Sequence, residues 1–134
     1  MNNSFKFDHL GVAVVDLAAA LKVYEDLFDY KVISGPFDDP RQQATVCFLG
    51  HDHDFVLELI APLTDKSHVA RLLAKGGGAY HVCYEVTDIQ KTLADLRRKG
   101  CLIVSDPVPA VAYQGRRIAW FYTPTQQLME LVES

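Results

Sequence analysis

Two histidines and two glutamates of this chain recur at a fixed interval. His9 is followed 72 positions later by His81, and Glu58 is followed 72 positions later by Glu130. In each copy the glutamate stands 49 residues after the histidine. All four lie in mostly apolar runs: Asp8-His9-Leu10-Gly11-Val12, Val56-Leu57-Glu58-Leu59-Ile60, Tyr80-His81-Val82-Cys83-Tyr84 and Leu128-Met129-Glu130-Leu131-Val132. Taken singly, a histidine in a strand is usually a core side chain, and a glutamate in a last strand is usually solvated. Taken together they read as the donor set of a divalent cation. Imidazole nitrogens and carboxylate oxygens suit nickel, cobalt, zinc, manganese or iron(II) better than calcium or a thiolate-seeking ion. Two carboxylates also balance the charge of such an ion, and burying them without a cation would be expensive. Four protein ligands on a six-coordinate ion leave two positions. Those can take two adjacent substrate oxygens and stabilise the negative charge that develops on them. The sequence therefore predicts one divalent metal ion held by His9, Glu58, His81 and Glu130, its identity left open among those metals. A rival cluster, His51-Asp52-His53, falls between two strand-like segments and reads as a solvated turn.

The elements that must position these residues repeat as well. Residues 5–14 read as a strand, Asp16 as a helix cap, and residues 17–28 as a helix with Leu17, Leu21, Tyr24 and Phe28 at helical spacing. A short strand over 30–34, a loop rich in Gly, Pro and Asp over 34–40, a strand over 44–49, a turn over 50–54 and a strand over 55–61 follow. The second copy has a strand over 79–86, Asp88 as cap, a helix over 89–99 stopped by Gly100, and strands near 101–104, 116–122 and 127–133. Between the copies, residues 65–75 read as a linking helix ended by the flexible run Gly76-Gly77-Gly78. The expected fold class is α+β. Two tandem βαβββ modules, about residues 5–63 and 79–133, form a curved mixed sheet around a cleft, within one domain spanning 1–134. One helix covers one face of each module's sheet, so the other face must close on its counterpart or on another subunit. The space enclosed is a natural small-molecule site.

Bulk properties exclude several classes. A chain of 134 residues with an ordinary apolar fraction can bury a substantial core. The net charge of −4 and the lack of a dense basic stripe argue against a nucleic-acid partner. No run approaches the ~18 apolar residues of a membrane span, and the start, Met1-Asn2-Asn3-Ser4, lacks the apolar core of a signal peptide. Cys47, Cys83 and Cys101 are odd in number and lie in apolar segments. They read as reduced core thiols, which points to the cytoplasm.

At these residues the chain resembles the vicinal oxygen chelate superfamily, which includes glyoxalase I, extradiol dioxygenases and bleomycin-resistance proteins. Its members are built from paired βαβββ modules, and the resemblance covers nearly the whole chain. The likeness is closer to methylmalonyl-CoA epimerases. It is carried by Asp8-His9-Leu10-Gly11-Val12-Ala13-Val14 with Asp16-Leu17, by Leu57-Glu58-Leu59-Ile60-Ala61-Pro62-Leu63, and by Ser67-His68-Val69-Ala70 running on to His81-Val82-Cys83-Tyr84-Glu85-Val86-Thr87-Asp88-Ile89. The resemblance implies a glyoxalase-like fold and the same four ligands, His9, Glu58, His81 and Glu130. It departs from the epimerase pattern at Tyr80-His81, where two adjacent histidines are usual, and at Thr123-Pro124-Thr125, where a His-Pro-Lys motif is common. Residues 42–49 also contain no acid.

The implied activity is a metal-dependent isomerase or lyase that moves a proton alpha to a carbonyl through a metal-stabilised enolate. The substrate is a small molecule, an acyl-CoA in the epimerase reading. Two alternatives are a lactoylglutathione lyase of the glyoxalase I type and a non-enzymatic binder of the antibiotic-resistance type; retention of all four ligands argues against the binder. With no acid over 42–49, the base is expected among the ligand carboxylates, Glu130 or Glu58. Glu85, four residues after His81, shares its strand face and is a weaker candidate. Arg116 and Arg117 could meet a phosphate or carboxylate of the substrate, although a solvated strand end is the commoner outcome. A homodimer is the arrangement that the resemblance implies.

Overall fold

Alternation of side chains along the strands sorts each sheet into a helix-covered face and an opposite face, and the four repeated residues all fall on the opposite one. The computed structural model describes residues 4–52 and 56–134. Part of the 50–54 turn, including His53, and the first residue of the strand expected at Phe55 lie outside the described residues, as do Met1, Asn2 and Asn3. The chain forms two compact units, one comprising His9–Tyr80 and the other His81–Ser134 with the described residues up to Asp8.

The first unit is built from β1 (Lys6–Ala13, which enters this unit at His9), α1 (Leu17–Phe28), β2 (Lys31–Asp39), β3 (Ala44–Gly50), β4 (Val56–Pro62) and α2 (His68–Ala74). β2, β3 and β4 are antiparallel neighbours in that order, and β1 runs parallel to β4. The second unit follows the same plan. β5 (Gly78–Val86) is followed by α3 (Ile89–Arg98), β6 (Leu102–Ile103), β7 (Val108–Pro109), a 3-10 turn at Val111–Tyr113, β8 (Arg117–Tyr122) and β9 (Leu128–Glu133). β9 is parallel to β5 and antiparallel to β8, which also pairs with β6 and β7. Each unit is therefore a mixed open sheet with a helix on one face, the α+β glyoxalase-like arrangement.

The two cores repeat position by position. Val12, Cys47, Leu49, Leu57 and Leu59 pack with Leu17, Leu21 and Tyr24 of α1. Seventy-two residues on, Ala119, Phe121, Met129 and Leu131 pack with Ile89, Leu93 and Leu96 of α3. Leu59 and Leu131 are fully buried, each contributing roughly 1.5–3 kcal/mol relative to exposure. Both helices start on an aspartate: Asp16 accepts from the Ala19 N–H, and Asp88 from the Lys91 N–H, each at 3.0 Å. Among the described residues no disulfide joins the cysteines; Cys47 and Cys83 are buried and Cys101 is half-buried ahead of β6. Burial pushes the Cys47 thiol up, so it stays protonated in the core.

Three local expectations are corrected. The segment expected to be a short strand and then a loop is one nine-residue strand, β2, reaching Asp39. It is an edge strand with register shifts on either side of Ser34, so Pro36 removes no ladder bond that the sheet needs. Gly35 is required there: its φ is +99°, and an added Cβ would press on the Val46 carbonyl oxygen at 3.1 Å. The linking helix is shorter than 65–75 because Ser67, in extended conformation, caps it by accepting from the Val69 N–H at 3.2 Å. The Gly76-Gly77-Gly78 run is ordered structure. The Gly77 N–H closes the helix end on the Leu72 carbonyl at 2.9 Å, and Gly78 opens β5. β7 and the 3-10 turn have no counterpart in the sequence reading, being too short for a periodic pattern.

Candidate functional site

In the first unit, His9 and Glu58 stand on parallel neighbours. Glu58 lies opposite Gly11, two residues beyond His9, so the two side chains share a sheet face. In the second unit, Glu130 lies opposite Cys83, two residues beyond His81, and the same relation holds. His9 Nε2 is 3.4 Å from Glu58 Oε1, and His81 Nε2 is 3.3 Å from Glu130 Oε1. All four residues are buried, at 0, 5, 3 and 3 % exposure for His9, Glu58, His81 and Glu130.

The spacing within each pair fits a shared cation better than a direct bond. A charge-assisted N–H···O⁻ hydrogen bond closes to about 2.7–2.9 Å. Two donors each about 2.1 Å from one ion stand about 3.0 Å apart at a right angle and about 3.4 Å apart at the tetrahedral angle. Each imidazole presents Nε2 to a carboxylate oxygen of its pair. The residues thus fit a divalent ion by chemistry and by distance, pair by pair.

Sequence reasoning missed an aromatic ring beside each histidine. Phe48 of β3 lies directly opposite Glu58, and Trp120 of β8 lies directly opposite Glu130. Their rings meet the imidazoles edge-on. His9 and Phe48 have centroids 5.4 Å apart at 68°, and His81 and Trp120 are 4.8 Å apart at 79°. A signal was present: each aromatic residue stands 39 positions after its histidine, and the two are again 72 apart.

The secondary candidates are accounted for within their own units. Glu85 is half-buried and accepts from Arg116 Nη2 at 2.8 Å, while Arg116 Nε donates to the Glu133 carbonyl at 2.8 Å. The Arg116 guanidinium also sits 5.3 Å from the centre of the Tyr113 ring, and the Tyr113 hydroxyl donates to the Asp8 carboxylate. Arg117 grips Glu133 with Nε at 3.0 Å and Nη2 at 3.1 Å. Both arginines thus hold the chain's own carboxylates rather than forming a bare strand end. His51 is exposed and packs its ring against Tyr30.

Glu133 ties the last strand to a helix start. The Arg117 hydrogen bond holds its carboxyl below the usual range; burial opposes this in part, and the Ile89 N–H at the start of α3 lowers it further. A depressed carboxylate contributes stability that is fully present above its unfolded value of about 4.3 and is lost as pH falls through the folded value. Glu133→Gln is therefore expected to lower the denaturation midpoint at pH 7, with the gap to wild type closing in acid. A gap of equal size at pH 7 and pH 3 would sink this account.

Known proteins resemble this chain over most of its length. The chain is 30% identical over 119 residues to the ethylmalonyl-CoA/methylmalonyl-CoA epimerase of Cereibacter sphaeroides, an alignment covering 87% of each protein. It is 29% identical over 132 residues to the mitochondrial methylmalonyl-CoA epimerase of Dictyostelium discoideum, covering 96% of this chain and 78% of that one. A variant of the Streptomyces coelicolor methylmalonyl-CoA epimerase, solved in complex with 2-nitronate-propionyl-CoA, superposes with a TM-score of 0.85. It has 28% identity, and the match covers 98% of this chain and 99% of that one. Residues 8–120 match the family pattern, and the chain belongs to the Glyoxalase/Bleomycin resistance protein/Dioxygenase superfamily.

Proposed function

We propose that this chain is a metal-dependent epimerase that moves the proton alpha to the thioester carbonyl of a methylmalonyl-CoA-type substrate. The observation that carries the proposal is the buried His/Glu pair, present twice in one register, in a chain whose relatives are methylmalonyl-CoA epimerases. In this proposal His9, Glu58, His81 and Glu130 together are the donor set of one divalent ion, as their repeat in the sequence implies. When bound, such an ion supplies Lewis acidity to a substrate carbonyl, which makes the neighbouring C–H acidic enough to lose at neutral pH. Cobalt, nickel, zinc, manganese and iron(II) all suit the donor set.

The chain's own residues do the rest. In this scheme Glu130 or Glu58 takes the alpha proton at a carboxylate oxygen on one face of the carbon and passes it to solvent, and a solvent-derived proton reaching the other face completes the inversion. The apolar residues beside them, Val46 and Ile60 in one unit and Ile118 and Val132 in the other, are buried on the same sheet face as the carboxylates. Arg116 and Arg117 have no substrate role in this scheme, because Glu85 and Glu133 already hold them. The relatives favour this reading over a lactoylglutathione lyase and over an antibiotic-binding protein.

A homodimer and a cytoplasmic location belong to the same proposal. Cysteines with no disulfide among the described residues suit a reducing compartment. α1 has no fully buried residue and exposes Val23 and Leu27, with Val15 just before it, an apolar stripe suited to a second copy. No described helix is long and apolar enough to cross a membrane.

The deciding experiment is solvent exchange. Metal-loaded protein incubated with methylmalonyl-CoA in deuterium oxide is expected to place deuterium at the alpha carbon, read by mass spectrometry. No incorporation would bring down the epimerase reading and make a glutathione hemithioacetal the next substrate to try.

A further inference from the structure

We infer that Phe48 and Trp120 are positioning residues that hold the imidazoles of His9 and His81 in their metal-binding orientation. The last side-chain torsion of histidine is broad and roughly two-fold, so strand geometry alone leaves the ring free to turn its nitrogens away. Here each ring is met edge-on by an aromatic neighbour, at 5.4 Å and 68° for His9 with Phe48 and at 4.8 Å and 79° for His81 with Trp120. Each aromatic residue is seated directly opposite the glutamate of its pair, on the far side from the histidine strand. Histidine, glutamate and aromatic ring thus form a row across three adjacent strands. The same row occurs twice, built from residues 72 positions apart. Rotation of either imidazole would push it into a ring whose own strand is held by pairing to the glutamate strand. Edge-to-face aromatic contacts are favourable beyond simple burial, and here that preference selects one ring orientation. Phe48 is buried and Trp120 half-buried, so both also shield their histidine from solvent.

The inference rests on the metal reading above, and the experiment separates the two. Co2+ is titrated into metal-free protein while the emission of Trp120, the only tryptophan in the chain, and the visible absorption of bound Co2+ are followed. Affinity is taken from competition with a chromophoric chelator. The wild-type chain is expected to bind Co2+ and to lose tryptophan emission in step, because the indole packs on a ligand. Phe48→Leu and Trp120→Leu, which keep apolar bulk and remove the ring, should weaken binding by about tenfold or more and shift the absorption bands that report ligand geometry. Trp120→Phe, which restores a ring, should recover most of the wild-type affinity and absorption.

Leu variants that are folded by circular dichroism and bind Co2+ as wild type does would overturn the inference. So would a wild-type chain that binds Co2+ with its tryptophan emission unchanged, a result that needs no variant to fold. A wild-type chain that takes up no Co2+ would bring down the metal reading, and this inference with it. That failure is read before any substitution is made.

Discussion

Replacing His81 with alanine is expected to lower divalent-ion affinity by more than about a hundredfold, since even residues that only support a metal ligand cost 10- to 100-fold when removed. The substitution deletes the nitrogen donor proposed for that unit and leaves Glu130 buried with its 3.3 Å imidazole neighbour gone. A buried carboxylate that loses its cation and its imidazole together carries a desolvation cost that folding must absorb. The variant should therefore also melt lower than the wild-type holoprotein. His9→Ala should behave alike, because His9 stands to Glu58 in the register in which His81 stands to Glu130. Elemental analysis of protein purified without chelator or histidine tag gives the result directly. Unchanged metal content in either variant would remove that histidine from the shell.

The second large effect is expected at the carboxylates. Glu130→Gln and Glu58→Gln each keep the shape and one oxygen of the side chain but cannot take up a proton. Loss of a positioned general base costs about 10²- to 10⁴-fold, and exchange of the alpha proton of methylmalonyl-CoA should fall by that order in at least one variant. The variant with the larger loss at equal metal content marks the carboxylate that carries the proton. The other should show its defect mainly as weaker metal binding. Both variants exchanging at the wild-type rate, with metal bound, would exclude the ligand carboxylates as bases. Glu85 would not be the natural substitute, because Arg116 holds it at 2.8 Å.

Much of this molecule was legible from residue spacing. The helices at Leu17–Phe28 and Ile89–Arg98 start behind the aspartates that the pattern names, because capping and helical periodicity are local properties. The strands carrying His9, Glu58, His81 and Glu130 were equally readable, since alternation of apolar residues is local as well. The departures lie where local rules compete with sheet pairing. Gly35 and Pro36 punctuate a loop by composition, yet they lie within β2, which tolerates them as an irregular edge. Arg116 looked like a free cation at a strand end, and the fold brings Glu85, 31 residues away, to its guanidinium.

The sequence by itself determined which residues could bind a cation and which elements would carry them. Only the tertiary structure decided that they meet in pairs. Gly11 pairs with Glu58, and Cys83 with Glu130, across 47 residues of chain in each unit. A slip of one residue would turn each glutamate to the helix-covered face and scatter the donors. The aromatic rings at Phe48 and Trp120 depend on the same pairing, which places them opposite the glutamates. Register between distant strands comes from burying a whole face at once, and no window of sequence contains that sum.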